Sequence, residues 1–142
     1  MRSIMMSLPV RNLKVSAAFF AELGFTFSPE LSGPGTVCLR IDQNISVLLM
    51  AAERYRDRVN GDADCTGSGG EALLCLSAGS EREVDEIVMK AVIAGGRPWP
   101  LADERPVYSG SFLDPDGHLW QVTCPREQAR QEPAVTAATA WQ

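Results

Sequence analysis

Apolar and polar positions along the chain run twice through the same pattern. Residues 4–10 form a short apolar run, broken at Ser7 and closed by Pro9, which suits a strand at a sheet edge. Asn12 is placed to cap a helix over 13–23, in which Leu13, Ala17, Phe20 and Leu23 recur at helical spacing. Gly24 supplies a left-handed terminus, and Phe25 beyond it folds back on the last turn. Extended stretches follow at 25–27, at 36–41 and at 45–50, separated by the turns Ser32-Gly33-Pro34-Gly35 and Asp42-Gln43-Asn44. In the second of them Val37, Leu39 and Ile41 alternate with Cys38 and Arg40, the period of a half-buried strand. Residues 51–59 read as a short surface helix, with Arg54, Arg56 and Arg58 on a solvated face.

Residues 60–70 are polar and glycine-rich and read as a linker, beyond which the order starts again. A strand over 71–76 leads to Ser80 and Glu83, which have capping-box spacing. Val84, Ile87, Val88 and Ala91 then mark one stripe of a helix that Gly95-Gly96 ends. Extended stretches at 97–101, 107–113 and 118–124 complete the round, the last two joined by the tight turn Asp114-Pro115-Asp116-Gly117. Strand, helix and three strands therefore occur twice, offset by about 70 residues, and such a repeat defines the architecture more firmly than any one element. The expected fold is α+β, with modules at 1–59 and 71–124, a linker at 60–70 and a tail at 125–142. Two small sheets, each with a helix on one face, can share an interface and curve around a cleft. The tail reads as loose; in the alternative reading Trp141 docks on a partner subunit.

Composition narrows the function. A chain of 142 residues with 45% apolar content holds one compact domain or two halves sharing a core. Thirteen Lys and Arg against 18 Asp and Glu leave a net charge of −5 with no basic cluster, which excludes nucleic acid as the main partner. No apolar run approaches the ~20 residues of a membrane span, and residues 1–10 make a poor signal peptide. Cys38, Cys65, Cys75 and Cys124 are widely spaced without a CxxC pair, and His118 is the only histidine, so the pattern is not that of structural zinc. A reduced, cytoplasmic protein is the expectation, with Cys38 and Cys75 as small buried strand residues. The glycines at 67, 69 and 70 lack the Lys and Ser/Thr of a phosphate loop, and neither a Ser-His-Asp nor a Cys-His set is available.

Leu8-Pro9-Val10-Arg11-Asn12-Leu13 with Phe19-Phe20 and Leu23-Gly24-Phe25, and then Ala94-Gly95-Gly96 and Phe112 to Val122 around Asp-Pro-Asp-Gly, resemble the two modules of the vicinal oxygen chelate superfamily. That superfamily includes glyoxalase I, bleomycin-resistance proteins and extradiol dioxygenases. The resemblance covers residues 4–124. It implies paired βαβββ modules, curved mixed sheets around a cleft, and a homodimer. It also implies a metal on the concave sheet face in active members, with two His, Glu or Gln ligands from each module. The matching positions here are Met5, Val47 or Leu48, Glu71 and Gln121. A thioether and a hydrocarbon are poor donors for a hard or borderline cation. The resemblance therefore points to a protein that binds a small organic molecule without a metal or other cofactor. The alternative is a lactoylglutathione-lyase-like or dioxygenase-like enzyme with a depleted metal site. A third reading, a structural interaction module, rests on the tail.

The candidate binding residues are Met5, Ser7, Leu48, Leu73, Trp99, Tyr108 and Gln121, and the candidate catalytic residue is Glu71. In an apolar cleft near Leu73 and Met5, desolvation would raise the Glu71 pKa and suit it to general-base work; the plainer reading is a solvated strand-end carboxylate. Gln121 between Trp120 and Val122 needs hydrogen-bond partners from either the cleft or the adjoining sheet. Tyr108 orients a ligand or sits half-buried in its strand, and Trp99 walls the cleft or covers an edge. His118, directly after Gly117, reads as a surface residue or a turn hydrogen-bonder.

Overall fold

The computed structural model describes residues 1–59, 72–101 and 106–126. The first module runs β1 (Ile4–Val10), α1 (Leu13–Glu22), β2 (Thr26–Gly33), β3 (Thr36–Asp42), β4 (Ile45–Ala51) and a short helix α2 (Ala52–Val59). The second runs β5 (Leu73–Ser77), α3 (Glu81–Ile93), β6 (Arg97–Pro98), β7 (Val107–Leu113) and β8 (Leu119–Pro125). Each forms a four-stranded mixed sheet, in the orders β1-β4-β3-β2 and β5-β8-β7-β6. In both, the opening strand lies parallel to the closing one and the other neighbours are antiparallel.

Local chemistry sets the helix ends. The Asn12 side chain accepts from the Val15 amide at 3.2 Å, satisfying one of the free N–H groups of the first turn. At the other end Gly24 takes φ +94°, and the Phe25 amide returns to the Phe20 carbonyl at 3.1 Å. Ser80 accepts from the Glu83 amide at 3.1 Å, but the Glu83 carboxylate accepts from Gly79 at 2.6 Å, one residue earlier than a reciprocal box would have it. β2 is longer than its sequence pattern indicates. β6 is shorter, because Pro98 and Pro100 interrupt the backbone donors of a longer strand.

One apolar core serves both modules. It joins Leu8, Val10, Phe19, Phe20, Leu39, Val47 and Leu49 to Leu74, Val84, Phe112, Trp120 and Val122. Phe19 of α1 lies 6.0 Å from Phe112 of β7, and Phe20 lies 5.1 Å from Trp120 of β8, centroid to centroid. Helix α1 therefore touches the inner faces of both sheets. Helix α3 lies on the inner face of the second sheet so closely that a Cβ at Gly110 would meet Val88 Cγ2 at 2.7 Å. The layers are sheet, helices, sheet.

The Asp-Pro-Asp-Gly turn joins the modules as well as reversing the chain. Asp116 accepts from the Arg11 amide and the Ser16 hydroxyl, both at 2.8 Å. Arg11 Nη2 also donates to the Pro115 carbonyl at 2.8 Å. His118 Nε2 sits 2.7 Å from the Pro9 carbonyl, so its partner is the other module rather than its own turn. Asp114 accepts from the amides of Asp116 and His118 and, through its second oxygen, from Trp120 Nε1 at 3.0 Å. Burial is the largest influence on Asp114 and pushes its pKa up, against the pull of His118 and these donors.

Candidate functional site

The strand registers assign each candidate among the described residues to a face. In the first sheet Met5 pairs with Ser46 and Ser7 with Leu48, while Met6, Leu8 and Val10 share the opposite, inner face with Val47 and Leu49. In the second sheet Leu73 pairs with Leu119, and Cys75 with Gln121, which in turn pairs with Ser111. Alternation puts these on the outer face and leaves Leu74, Trp120 and Phe112 inside. The Trp99 amide reaches the Ser111 carbonyl at 3.4 Å, which extends the β6–β7 ladder by one step and sets Trp99 at the register position opposite Ser111. Cys75, Gln121, Ser111 and Trp99 thus form one row across the second sheet.

Three expectations are corrected. Tyr108 is on the inner side, in the alternate set with Gly110 and Phe112, where it packs against the shared core. Its hydroxyl donates to Asp85 of α3 at 2.6 Å, and that bond, followed by burial, raises its pKa. Tyr108 and Gln121 therefore face opposite sides of the sheet. Leu48 has the outer-face orientation but is only 7% exposed, because it packs with Cys38, Met50 and Tyr55 of α2. An apolar outer face needs a cover, and the helix that follows β4 supplies it. Cys75 is exposed rather than buried, whereas Cys38 and Cys124 are buried. Glu71, the linker at 60–70 and Trp141 lie outside the described residues.

What remains on the outer faces is Met5 at 49% exposure and half-buried Ser7 on β1, with Leu73 at 49%, half-buried Gln121, and Trp99 at 47% on the second module. Ser109, Ser111 and Thr123 share the face of Gln121, residues that the alternation within 107–113 and 119–125 marks once Gly110 is placed against α3. The inner faces meet each other across α1, so within one chain the two outer faces point away from each other. A cleft that uses both must draw its second wall from another copy.

Among the described residues the donor set does not fit the metal that the resemblance implies. Of the matching positions among the described residues, Met5 offers a thioether, Leu48 a hydrocarbon, and only Gln121 an oxygen. No group of three or more His, Cys, Asp or Glu able to hold a metal ion exists among the described residues. One oxygen donor is fewer than the three protein ligands that a catalytic zinc site keeps.

No protein-family model matches the chain, and no curated protein does. Solved structures do. A glyoxalase-related enzyme from Fulvimarina pelagi superposes with TM-score 0.72 at 23% identity, covering 87% of this chain and 87% of that one. A glyoxalase/bleomycin resistance protein/dioxygenase family enzyme from Burkholderia phytofirmans PsJN gives 0.68 at 17% identity, covering 84% and 94%. TnmS3, an antibiotic binding protein from Streptomyces sp. CB03234, gives 0.62 at 18% identity, covering 88% and 96%. The chain has the fold of the vicinal oxygen chelate superfamily, that of the glyoxalase, bleomycin-resistance and dioxygenase proteins. No helix among the described residues is long and apolar enough to cross a membrane.

Proposed function

We propose that this protein binds a compact apolar organic molecule without a resident metal, in a cleft that two copies build together. One copy supplies Met5 and Ser7 beside its β1 edge; the other supplies Leu73, Gln121 and Trp99. The observation that carries the reading is the side-chain chemistry of these faces, in which sulfur and hydrocarbon stand at the metal-ligand positions and one amide provides directional hydrogen bonding. Small-molecule pockets have this character, mostly apolar with a few placed polar groups. The fold is shared with an antibiotic binding protein, which supports a sequestering role. Both β1 and β5 are edge strands of their sheets, which supports a contact with another copy in this reading. Glu71, two residues before Leu73 in the sequence, is assigned a polar contact to the ligand in this reading. A reducing, cytoplasmic setting suits the exposed Cys75 thiol.

The test is a titration with 1-hydroxyanthraquinone, a neutral aromatic probe, combined with light scattering. The expected result is a dimer that binds the probe, with Gln121→Ala weakening binding about tenfold, the loss of one directional hydrogen bond in a dry site. A monomer, no binding, or unchanged affinity in the variant would overturn the reading. So would stoichiometric divalent metal held by three or more side chains in protein purified without chelator.

A further inference from the structure

The space between the two sheets is not filled along its whole length. A cavity of 540 Å³ lies there, within the range of about 300–1,000 Å³ typical of small-molecule sites. Its apolar walls include Met6, Ile41 and Val47 from the first module and Leu74, Ile87 and Trp120 from the second. No residue of α1 is among its described lining, and the helical layer contributes only Glu83 and Ile87 of α3. The cavity is the part of the middle layer that α1 does not reach. Most of its lining is on the inner side of the sheets; it shares the β5 edge, with Leu73 and Cys75, with the outer face of the second sheet, but not Gln121, Trp99, Met5 or Ser7.

Its charge is one-sided. Asp42 and Glu83 line it, both are exposed and so lie at its mouth, and no Lys, Arg or His is among the described lining residues. All five residues of β5, Leu73–Ser77, border it. Among the described strands β5 pairs only with β8, so its other edge carries N–H and C=O groups without a strand partner. Two carboxylates stand over an apolar floor that includes an indole and the Phe25 ring. That combination rejects an anion through uncompensated desolvation and like charge, and accommodates an ammonium carried on an apolar body.

We propose that the cavity between the sheets is a second binding site, for an amphiphilic organic cation such as a protonated aromatic amine. Asp42 and Glu83 hold the charge at the mouth, while the hydrocarbon part lies against Met6, Val47, Ile87 and Trp120.

The experiment uses the full chain with 9-aminoacridine, a cationic tricycle, and anthracene-9-carboxylate, an anion of similar shape. The readouts are probe fluorescence and isoleucine methyl NMR. The chain has five isoleucines, of which Ile41, Ile45 and Ile87 line the cavity and Ile4 and Ile93 do not. The expected result is that the amine binds, shifting only the three cavity methyls, and that the carboxylate does not. The double variant Asp42→Asn, Glu83→Gln removes both charges but retains an amide oxygen to accept from Gln43 and Gly79, so the turn and the helix start keep their bonds. It should bind the amine at least about tenfold more weakly, with thermal unfolding unchanged. Equal binding of the two probes, unchanged amine affinity in the double variant, shifts at Ile4 or Ile93 instead, or no binding at all would each overturn the proposal. Gln121 is not among the described lining of the cavity, so the effect of Gln121→Ala on 1-hydroxyanthraquinone tests the outer-face site separately.

Discussion

The two modules share an element order and differ in what lies over the outer face of the sheet. In the first, α2 returns across that face and Tyr55 packs on Cys38, Leu48 and Met50. β4 is accordingly buried at five successive positions, Ser46 to Met50. In the second, β8 alternates, with Gln121 and Thr123 half-exposed between buried Trp120, Val122 and Cys124. A nearly continuous apolar strand needs cover on both sides, whereas an alternating one leaves a side for something else. The repeat therefore built two scaffolds of one kind, and the residues available to a ligand are concentrated on the second sheet and on the β1 edge of the first.

That comparison predicts that core substitutions damage both modules while outer-face substitutions act on one. The largest effect is expected at Trp120, fully buried between Phe20 of the first module and Phe112 of its own. Trp120→Ala should cost about 3–5 kcal/mol in urea unfolding, with a single transition if the core is shared as described. Two separable transitions, one of them at the wild-type midpoint, would show instead that the modules are independent.

Asp114→Asn comes next, at about 1–3 kcal/mol near neutral pH, because an amide cannot accept from the two backbone amides and also from the Trp120 indole without turning its NH₂ on one of these donors. The pH dependence has a definite sign. A carboxyl whose native pKa is raised stabilises the fold fully below its ordinary range, and that contribution is lost as pH rises through the native value. The wild type should gain stability on mild acidification within that window relative to Asp114→Asn, measured by thermal unfolding across pH. Parallel profiles would remove the burial argument.

The elements that the sequence made legible are those with local causes. Asn12, Gly24 and the chain reversal at Asp-Pro-Asp-Gly each rest on bonds a few residues away, and each is found where its spacing places it; the bonds from that turn to Arg11 and Ser16 are not local and were not legible. Face assignment is less local. Tyr108 and Gln121 both looked suited to a cleft, but their sides are decided by the β7–β8 register, which pairs Ser111 and not Tyr108 with Gln121. Gly110 was the available sign, since a glycine within an otherwise alternating strand marks a close approach, here by Val88 of α3. Leu48 had the right orientation, but its cover by Tyr55 depends on a helix folding back, which no periodicity encodes. The cavity between the sheets was not legible, because it joins Asp42 to Glu83 across two modules.

Tyr55→Ala should have the smallest effect on stability, and it tests the difference between the modules most directly. Tyr55 is half-buried on a helix that is exposed elsewhere except at Ala52, so truncation removes part of a ring from contact and leaves no closed cavity; about 1 kcal/mol is expected. The consequence for the face is larger than for the fold. Cys38 is buried in the wild type and should become reactive toward a thiol reagent such as dithionitrobenzoate, while Cys124, inside the shared core, stays protected. Cys75 reacts in both proteins and serves as the internal reference. If α2 is what separates the first outer face from the second, one additional fast thiol appears in the variant, assigned to Cys38 by mass spectrometry. If Cys38 stays protected, Tyr55 is not the cover, and the asymmetry between the modules must be traced to another part of the chain.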